Sequence, residues 1–257
     1  MPETILVIPC FNEAQRLRSD LFGEYLDSDP ETDLIFVDDG SHDGTAGILE
    51  ELAARGQGRI NVVTQPRNQG KAEAVRAGMN RAFSTGARFV GYFDADLATP
   101  LAEVSRLREV LRRDESIEIV FASRVQLLGR RIQRRPLRHY LGRVFATVAS
   151  EVLGLPVYDT QCGAKLFRAG PRVKALFSEP FLSNWVFDVE LIARWRVSER
   201  ETGAPPAHEV IYEVPVDEWV DVAGSKVRPA DFVRALAEIW RISRRYLPRK
   251  SRRSTPG

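Results

Sequence analysis

Five short apolar runs recur through the first half of the chain, and helical spacing fills the gaps between them. Ile5-Leu6-Val7-Ile8 ends at Pro9, and Leu34-Ile35-Phe36-Val37 ends at Asp38-Asp39-Gly40. Ile60 to Val63 is the third run, Phe89 to Phe93 ends at Asp94, and Ile117 to Ala122 ends at Ser123-Arg124. Residues 13–26, 70–83 and 100–113, and a stretch behind Asp43 carrying Ile48, Leu49 and Leu52, read as helices, with Asp43 as an N-cap. Runs this short and this apolar are strands buried on both faces. Their alternation with helices predicts an α/β fold, a mostly parallel sheet with helices on both faces. In such sheets ligands bind beyond the carboxyl ends of the strands. Those ends carry Pro9, Asp38, Asp39, Asp94, Asp96 and Arg124, so polar residues collect where the fold predicts a site.

After residue 124 the pattern changes. Residues 137–152 set Leu137, Tyr140, Leu141, Val144, Phe145, Val148 and Val152 on one helical face, with Arg138, His139 and Arg143 off it. Arg130 to Arg135 precede them. An amphipathic helix with basic flanks suits a membrane interface, and a helix packed on the domain core carries the same signature. Residues 185–198 predict a helix and 208–216 a strand. A last helix starts near Pro229, a favourable first-turn residue, and carries Phe232, Val233, Leu236, Ile239 and Trp240. The reading is one domain over 1–228, including a basic amphipathic segment at 130–155, followed by a helix and a basic, partly disordered tail over 229–257.

Charge is unevenly spread. Residues 124–143 hold seven Arg and no acid, and residues 241–257 hold seven Lys or Arg and no acid. These are 14 of 37 basic residues, leaving 23 against 35 acidic elsewhere, a balance of −12. An acidic body with two basic segments implies an anionic partner: lipid phosphate, a diphosphate or nucleic acid. A solvated face is the alternative. Aromatic residues do not interleave with the charges of the tail, which counts against nucleic acid. Two cysteines, Cys10 and Cys162, without a CxxC pair imply neither a disulfide framework nor a zinc site and fit a reducing compartment. The first residues lack the pattern of a signal peptide, and no stretch reaches the roughly 18–20 apolar residues of a membrane span. The expectation is a cytoplasmic protein held peripherally at a membrane.

Three groups can carry chemistry. Asp94 and Asp96 lie two apart at a strand end, where extended chain points both carboxylates the same way. Such a pair can ligate Mg²⁺ or Mn²⁺, and the cation can bridge to a diphosphate. An isolated Asp-x-Asp is a weak signal, and its place behind a buried strand is what gives it weight. Asp38-Asp39-Gly40-Ser41 ends a second strand, and a carboxylate there can accept from a nucleobase N–H or a ribose hydroxyl. Lys71, behind Gly70 at a helix start, can meet an anion. His42, His139 and His208 show no metal-ligand spacing and read as structural or surface residues.

Val7-Ile-Pro-Cys-Phe-Asn-Glu13, Val37-Asp-Asp-Gly-Ser-His-Asp-Gly-Thr45, Asn68-Gln-Gly-Lys71 and Asp94-Ala-Asp96 resemble, in order, the motifs of family 2 glycosyltransferases, which have the GT-A fold. Asp159 to Phe167, Trp185 to Leu191 and Gly224-Ser225-Lys226 resemble the dolichyl-phosphate β-glucosyltransferase branch, so the likeness covers roughly residues 4–228. It implies uridine contacts from Pro9, Phe11, Glu13 and Asp39, with Asn12, Asp38 and Ala95 in the same donor site. Lys71 and Arg124 would lie near the nucleotide or its phosphates, and Asp94 and Asp96 would hold the metal. Gln161, Ser225 and Lys226 would meet phosphate or acceptor. Asp188 takes the place of a catalytic carboxylate, and Asp159 is a second acidic candidate. Many relatives carry transmembrane helices that this chain lacks. Asp-Ala-Asp-Leu-Ala-Thr lies between the glucosyl and mannosyl relatives.

A phosphate acceptor, with a second pKa of about 6, is already anionic near pH 7 and hardly needs a base. A hydroxyl acceptor does need one. The expected activity is inverting, metal-dependent transfer of glucose from UDP-glucose to a polyprenyl phosphate on an anionic membrane face. A soluble family 2 enzyme acting on a hydroxyl, and a mannosyltransferase using GDP-mannose, are the alternatives.

Overall fold

The computed structural model describes residues 1–133, 136–221 and 229–247. In chain order its elements are β1 (Thr4–Cys10), α1 (Ser19–Ser28), β2 (Thr32–Asp38), α2 (Thr45–Arg55), β3 (Ile60–Thr64), α3 (Lys71–Phe83), β4 (Phe89–Phe93), α4 (Glu103–Arg113) and β5 (Ile119–Ser123). There follow β6 (Arg131–Gln133), α5 (Pro136–Leu153), β7 (Ala164–Arg168), α6 (Pro171–Leu176), α7 (Phe187–Thr202), α8 (Ala207–Val210), β8 (Ile211–Pro215), β9 (Glu218–Val220) and α9 (Pro229–Tyr246). The five apolar runs are the first five strands, as their composition requires.

One sheet holds seven strands in the order β3-β2-β1-β4-β7-β5-β8. All its pairings are parallel except those of β7, which runs antiparallel to both β4 and β5. The sequence reading missed β7, because its second residue, Lys165, interrupts the apolar run that marks a buried strand. The insertion has a consequence for the site. An antiparallel strand enters where its neighbours leave, so the residues just before β7 arrive beside the carboxyl ends of β4 and β5. A small parallel pair, β6 with β9, lies apart from the main sheet.

Two apolar clusters cover the two sheet faces. One joins Phe22, Leu26, Leu49, Leu52, Val104 and Leu107 of α1, α2 and α4 to the strands. The other joins α3, α5, α6, α7 and α9 to the opposite face. Burial of this kind is worth roughly 1.5–3 kcal/mol per large aliphatic side chain. Ala235, Ile239 and Ile242 of α9 belong to the second cluster, so the C-terminal helix shares the core of residues 1–228.

Several boundaries differ from the sequence reading. Residues 13–17 form a turn on the Glu13 carbonyl, which accepts from the amides of Arg16 and Leu17, so the helix predicted from 13 starts at Ser19. Gly44, not Asp43, is the N-cap of α2, although Asp43 Oδ1 still accepts the Thr45 amide at 2.9 Å. The strand predicted over 208–216 opens with the helical turn α8. The face of α5 read as interfacial is split: Phe145 is buried, Val148 and Val152 pack half-buried against the core beside buried Ala146, Ala149 and Leu153, and Tyr140 and Val144 are exposed. A second exposed apolar stripe lies on α9, where Val233, Leu236 and Trp240 face outward, Trp240 at 59% exposure. Arg241, Arg244 and Arg245 are exposed beside it, with the Arg244 guanidinium 4.8 Å from the Trp240 ring centroid. No helix among the described residues is long and apolar enough to cross a membrane.

Candidate functional site

A cavity of about 590 Å³ opens at the carboxyl edge of the sheet and takes its walls from both halves of the chain. Pro9, Phe11, Glu13, Asp39, Lys71, Asp94, Ala95, Asp96, Arg124, Asp159, Gln161 and Asp188 all line it. Of the residues predicted for the site, Asn12 and Asp38 stand behind the wall and act on the loops. Gly224-Ser225-Lys226 and the tail from 248 lie outside the described residues.

The loops after β1 and β2 are laced to each other. Asn12, at φ 53°, donates its amide to Ser41 Oγ at 3.0 Å and accepts the His42 amide on Oδ1 at 2.9 Å. The Glu13 amide donates to Thr45 Oγ1 at 2.8 Å. Asp38 Oδ1 caps its own turn by accepting the Ser41 amide at 3.1 Å. Gly40, at φ +67°, lies so close to the next loop that a Cβ would sit 2.5 Å from the Arg67 carbonyl carbon. Asp39, buried, accepts the amides of Gln69 and Gly70 at 2.7 and 2.8 Å. Burial raises its pKa, with the charges of Asp38 and Glu73 adding, and the two amides oppose the rise. These bonds fix the start of α3, and therefore Lys71.

Asp94 and Asp96 face one cavity, though not through the pleat of a strand. The strand ends at Phe93, and a turn closed by the Leu97 amide on the Asp94 carbonyl, 3.2 Å, folds the two carboxylates together. Leu97 takes φ 53° there. Lys71 Nζ lies 2.5 Å from Asp94 Oδ1. Withdrawal from bulk water works against the Lys71 charge, but Asp94 first, then Asp188 and Asp96, outweigh it and raise its pKa. Burial raises the pKa of Asp96, and the charge of Asp94 adds to it. Two carboxylates facing one cavity with an ammonium drawn against them are a donor set suited to a hard cation. No cluster of three or more acidic, His or Cys side chains surrounds it among the described residues. Two carboxylates suffice where substrate phosphates and water complete an octahedral shell.

The second half supplies the facing wall. The Asp94 amide donates to the Gly163 carbonyl at 2.9 Å. A Cβ on residue 163 would lie 1.9 Å from Asp94 Oδ2, so only glycine lets the start of β7 approach the Asp94 carboxylate this closely. Asp159 holds Arg124 in a bidentate pair, with Nε at 2.6 Å and Nη2 at 2.7 Å, and also accepts the Arg124 amide at 3.1 Å. Burial opposes the charge of Arg124, Asp159 restores it, and its pKa ends raised. The amides of Tyr158 and Asp159 are held by Glu213 of β8, both at 2.8 Å. Asp188 lies in the first turn of α7, where a helix N-terminus favours an anion. Its Oδ1 accepts from the Tyr92 hydroxyl and from Lys165 Nζ, the latter at 2.7 Å.

Sequence reasoning missed several residues of this wall. Arg143 lies over the Tyr158 ring, 4.0 Å from guanidinium carbon to centroid. Trp219 lies under Arg124 at 5.3 Å, and Trp185 also lines the cavity. The basic run at 124–143 marked Arg143 as part of a segment suited to an anionic partner, Trp185 entered only as the start of a family-like motif, and nothing in the sequence marks Trp219 as a cavity residue. Buried polar atoms without a hydrogen-bond partner among the described residues gather here: Glu13 Oε2, Arg143 Nη1, Thr160 Oγ1 and Gln161 Nε2 all belong to lining residues. Such atoms cost free energy until a ligand or water meets them.

Residues 5–172 match the profile of Glycosyl transferase family 2. The dolichyl-phosphate beta-glucosyltransferase ALG5C of Trichomonas vaginalis is 31% identical over 252 residues, covering 93% of this chain and 70% of that relative. The dolichyl-phosphate beta-glucosyltransferase of Mus musculus is 32% identical over 238 residues, covering 87% and 69%. A polyprenol monophosphomannose synthase of Mycolicibacterium smegmatis is 27% identical over 194 residues, covering 75% and 71%. Among solved structures, glucosyl-3-phosphoglycerate synthase from Mycobacterium tuberculosis in complex with Mn²⁺, UDP and glucosyl-3-phosphoglycerate shares the fold. Its TM-score is 0.64 at 21% identity, over 94% of this chain and 80% of that one.

Proposed function

This chain belongs to glycosyl transferase family 2, and from that premise we propose that it transfers glucose from UDP-glucose to a polyprenyl phosphate, with inversion. The observation that carries the acceptor half of the reading is the state of the two candidate bases. Asp159 is clamped by Arg124, and Asp188 is paired with Lys165. Neither is a free carboxylate waiting for a proton. That arrangement suits an acceptor that arrives as an anion, because a phosphate monoester with a second pKa of about 6 needs no deprotonation. A hydroxyl acceptor would need a base to take its proton, and both carboxylates already have a cationic partner. The relatives named for dolichyl phosphate and for polyprenol monophosphomannose agree with a lipid phosphate.

Each side chain then has a task. Glu13 and Asp39 accept from the nucleoside, and Pro9 and Phe11 wall it. Lys71 and Arg124 meet the diphosphate charge. Asp94 and Asp96 would hold Mg²⁺ or Mn²⁺, which supplies charge to stabilise the departing diphosphate. Arg143, with its unpartnered Nη1, and Gln161, with its unpartnered Nε2, are placed to meet the acceptor phosphate. Asp188 orients sugar or acceptor. Phe232 and Ala235 of α9 line the cavity on the helix that exposes Val233, Leu236 and Trp240. That placement supports peripheral binding of α9 to an anionic membrane, each nearby Arg contributing about 1 kcal/mol.

The test is direct. Purified protein is incubated with Mg²⁺ or Mn²⁺, a panel of nucleotide sugars and a polyprenyl phosphate, and the product is read by mass. A hexosyl phospholipid made from UDP-glucose is expected. Transfer only to hydroxyl acceptors, or only from GDP-mannose, would sink the reading.

A further inference from the structure

Lys165 is a buried lysine for which the reading above has no task. It is the second residue of β7, paired across the ladder with Tyr92 on one side and Phe121 on the other. Directly opposed residues share a sheet face, so the ammonium is held between two rings, 5.4 Å from the Tyr92 centroid and 4.8 Å from that of Phe121. Its side chain is 0% exposed. It donates to the Cys162 carbonyl at 2.6 Å, and its one ion-pair partner among the described residues is Asp188. Tyr92 donates to the same oxygen, Asp188 Oδ1. One oxygen of Asp188 is therefore fully engaged, while the residue still forms part of the cavity wall.

A buried charge is tolerated when it is paired and hydrogen-bonded, and is strongly unfavourable when it is not. We infer that Lys165 is a positioning residue of the transfer: it holds Asp188 in one orientation, so that Oδ2 alone is presented to the sugar or acceptor. Lys165 acts through Asp188 and touches no substrate itself. The Cys162 carbonyl and the two rings fix the ammonium, the ammonium and the Tyr92 hydroxyl fix Oδ1, and α7 fixes the backbone of Asp188. The inference rests on Asp188 being the orienting carboxylate of the proposed reaction.

The test compares Lys165→Met, Asp188→Asn and the double variant with the wild type, by melting temperature, UDP affinity and steady-state transfer. Lys165→Met leaves an uncompensated buried carboxylate, and its Tm is expected to fall by about 10 °C. The double variant should recover most of that fall. Should Lys165→Met not fold, recovery of folded double variant is the same result. For transfer, each single variant should lose about tenfold in kcat with UDP affinity unchanged, and the double variant should lose no more than either. Three results overturn the inference: a double variant no more stable than Lys165→Met, losses that multiply to about a hundredfold, or wild-type kcat in Lys165→Met. A wild type that transfers nothing refutes the functional reading instead, and the Tm comparison still decides the pairing.

Discussion

Residues 1–124 and residues 125–247 build opposite walls of one cavity by different means. In the first part each site residue stands at the end of a parallel strand or the start of the helix behind it, and hydrogen bonds to backbone amides shape the loops that carry it. Asp39 on the amides of Gln69 and Gly70 is the type case. In the second part the site residues come from the approach to an antiparallel strand, a helix start and two packed helices. Buried ion pairs hold them: Arg124 with Asp159, and Lys165 with Asp188. The difference follows from topology. A βα unit delivers its loop to the carboxyl edge by itself, whereas the second wall forms only once β7 is seated between β4 and β5.

If that comparison is right, damage to the first wall abolishes chemistry and damage to the second misplaces the acceptor. The largest effect should come from Asp94→Asn or Asp96→Asn. Each is expected to lower transfer about 10³-fold and to weaken metal-dependent UDP binding, read by titration calorimetry with and without Mn²⁺. Undiminished metal-dependent binding in either variant breaks the assignment. Gly163→Ala joins the two walls: its Cβ collides with the Asp94 carboxylate, so a loss of about 10² in kcat is expected from adding one methyl group. Near-normal kcat would mean that β7 can retreat without cost.

The membrane contact is the next test in size. Trp240→Ala combined with Arg244→Ala should reduce co-sedimentation with anionic liposomes about tenfold and leave UDP affinity unchanged. Equal binding by the wild type to neutral and anionic vesicles would remove the electrostatic part. The smallest effect is on pH dependence. Burial raises the pKa of Glu213, Asp159 adds to the rise, and the amides of Tyr158 and Asp159 oppose it. A carboxyl whose folded pKa lies above its unfolded value costs nothing while both states are protonated. It takes stability away as pH climbs from the unfolded value through the folded one. The Tm of Glu213→Gln should therefore gain on the wild type as pH rises from 4 to 7. A difference that shrinks over that range would refute the assignment.

The donor wall was largely legible in the sequence because its signals are local. A buried strand, a polar end and a helix start lie within about fifteen residues, and Asp39, Lys71, Asp94 and Asp96 could be named from that pattern. Even there one reason differed: the carboxylates of Asp94 and Asp96 are joined by a turn with Leu97 at positive φ, not by strand alternation. The acceptor wall was legible only through its likeness to a family. Asp159 and Asp188 were named that way as acids, and the structure turns both into halves of ion pairs. Lys165 hid β7, and the periodicity of α5 could not say whether its apolar face meets core or membrane.

The order of apolar runs and polar strand ends in this sequence determines the parallel sheet, its functional edge and the donor side of the site, since hydrophobic burial and backbone pairing act over short stretches of chain. Tertiary structure alone decided which carboxylates are paired with buried cations, which glycine lies against Asp94, and how the apolar residues of α5 and α9 divide between core and surface. Those outcomes depend on what lies opposite a residue in space, and residues as far apart as Tyr92 and Asp188 meet only when the sheet and its helices are packed.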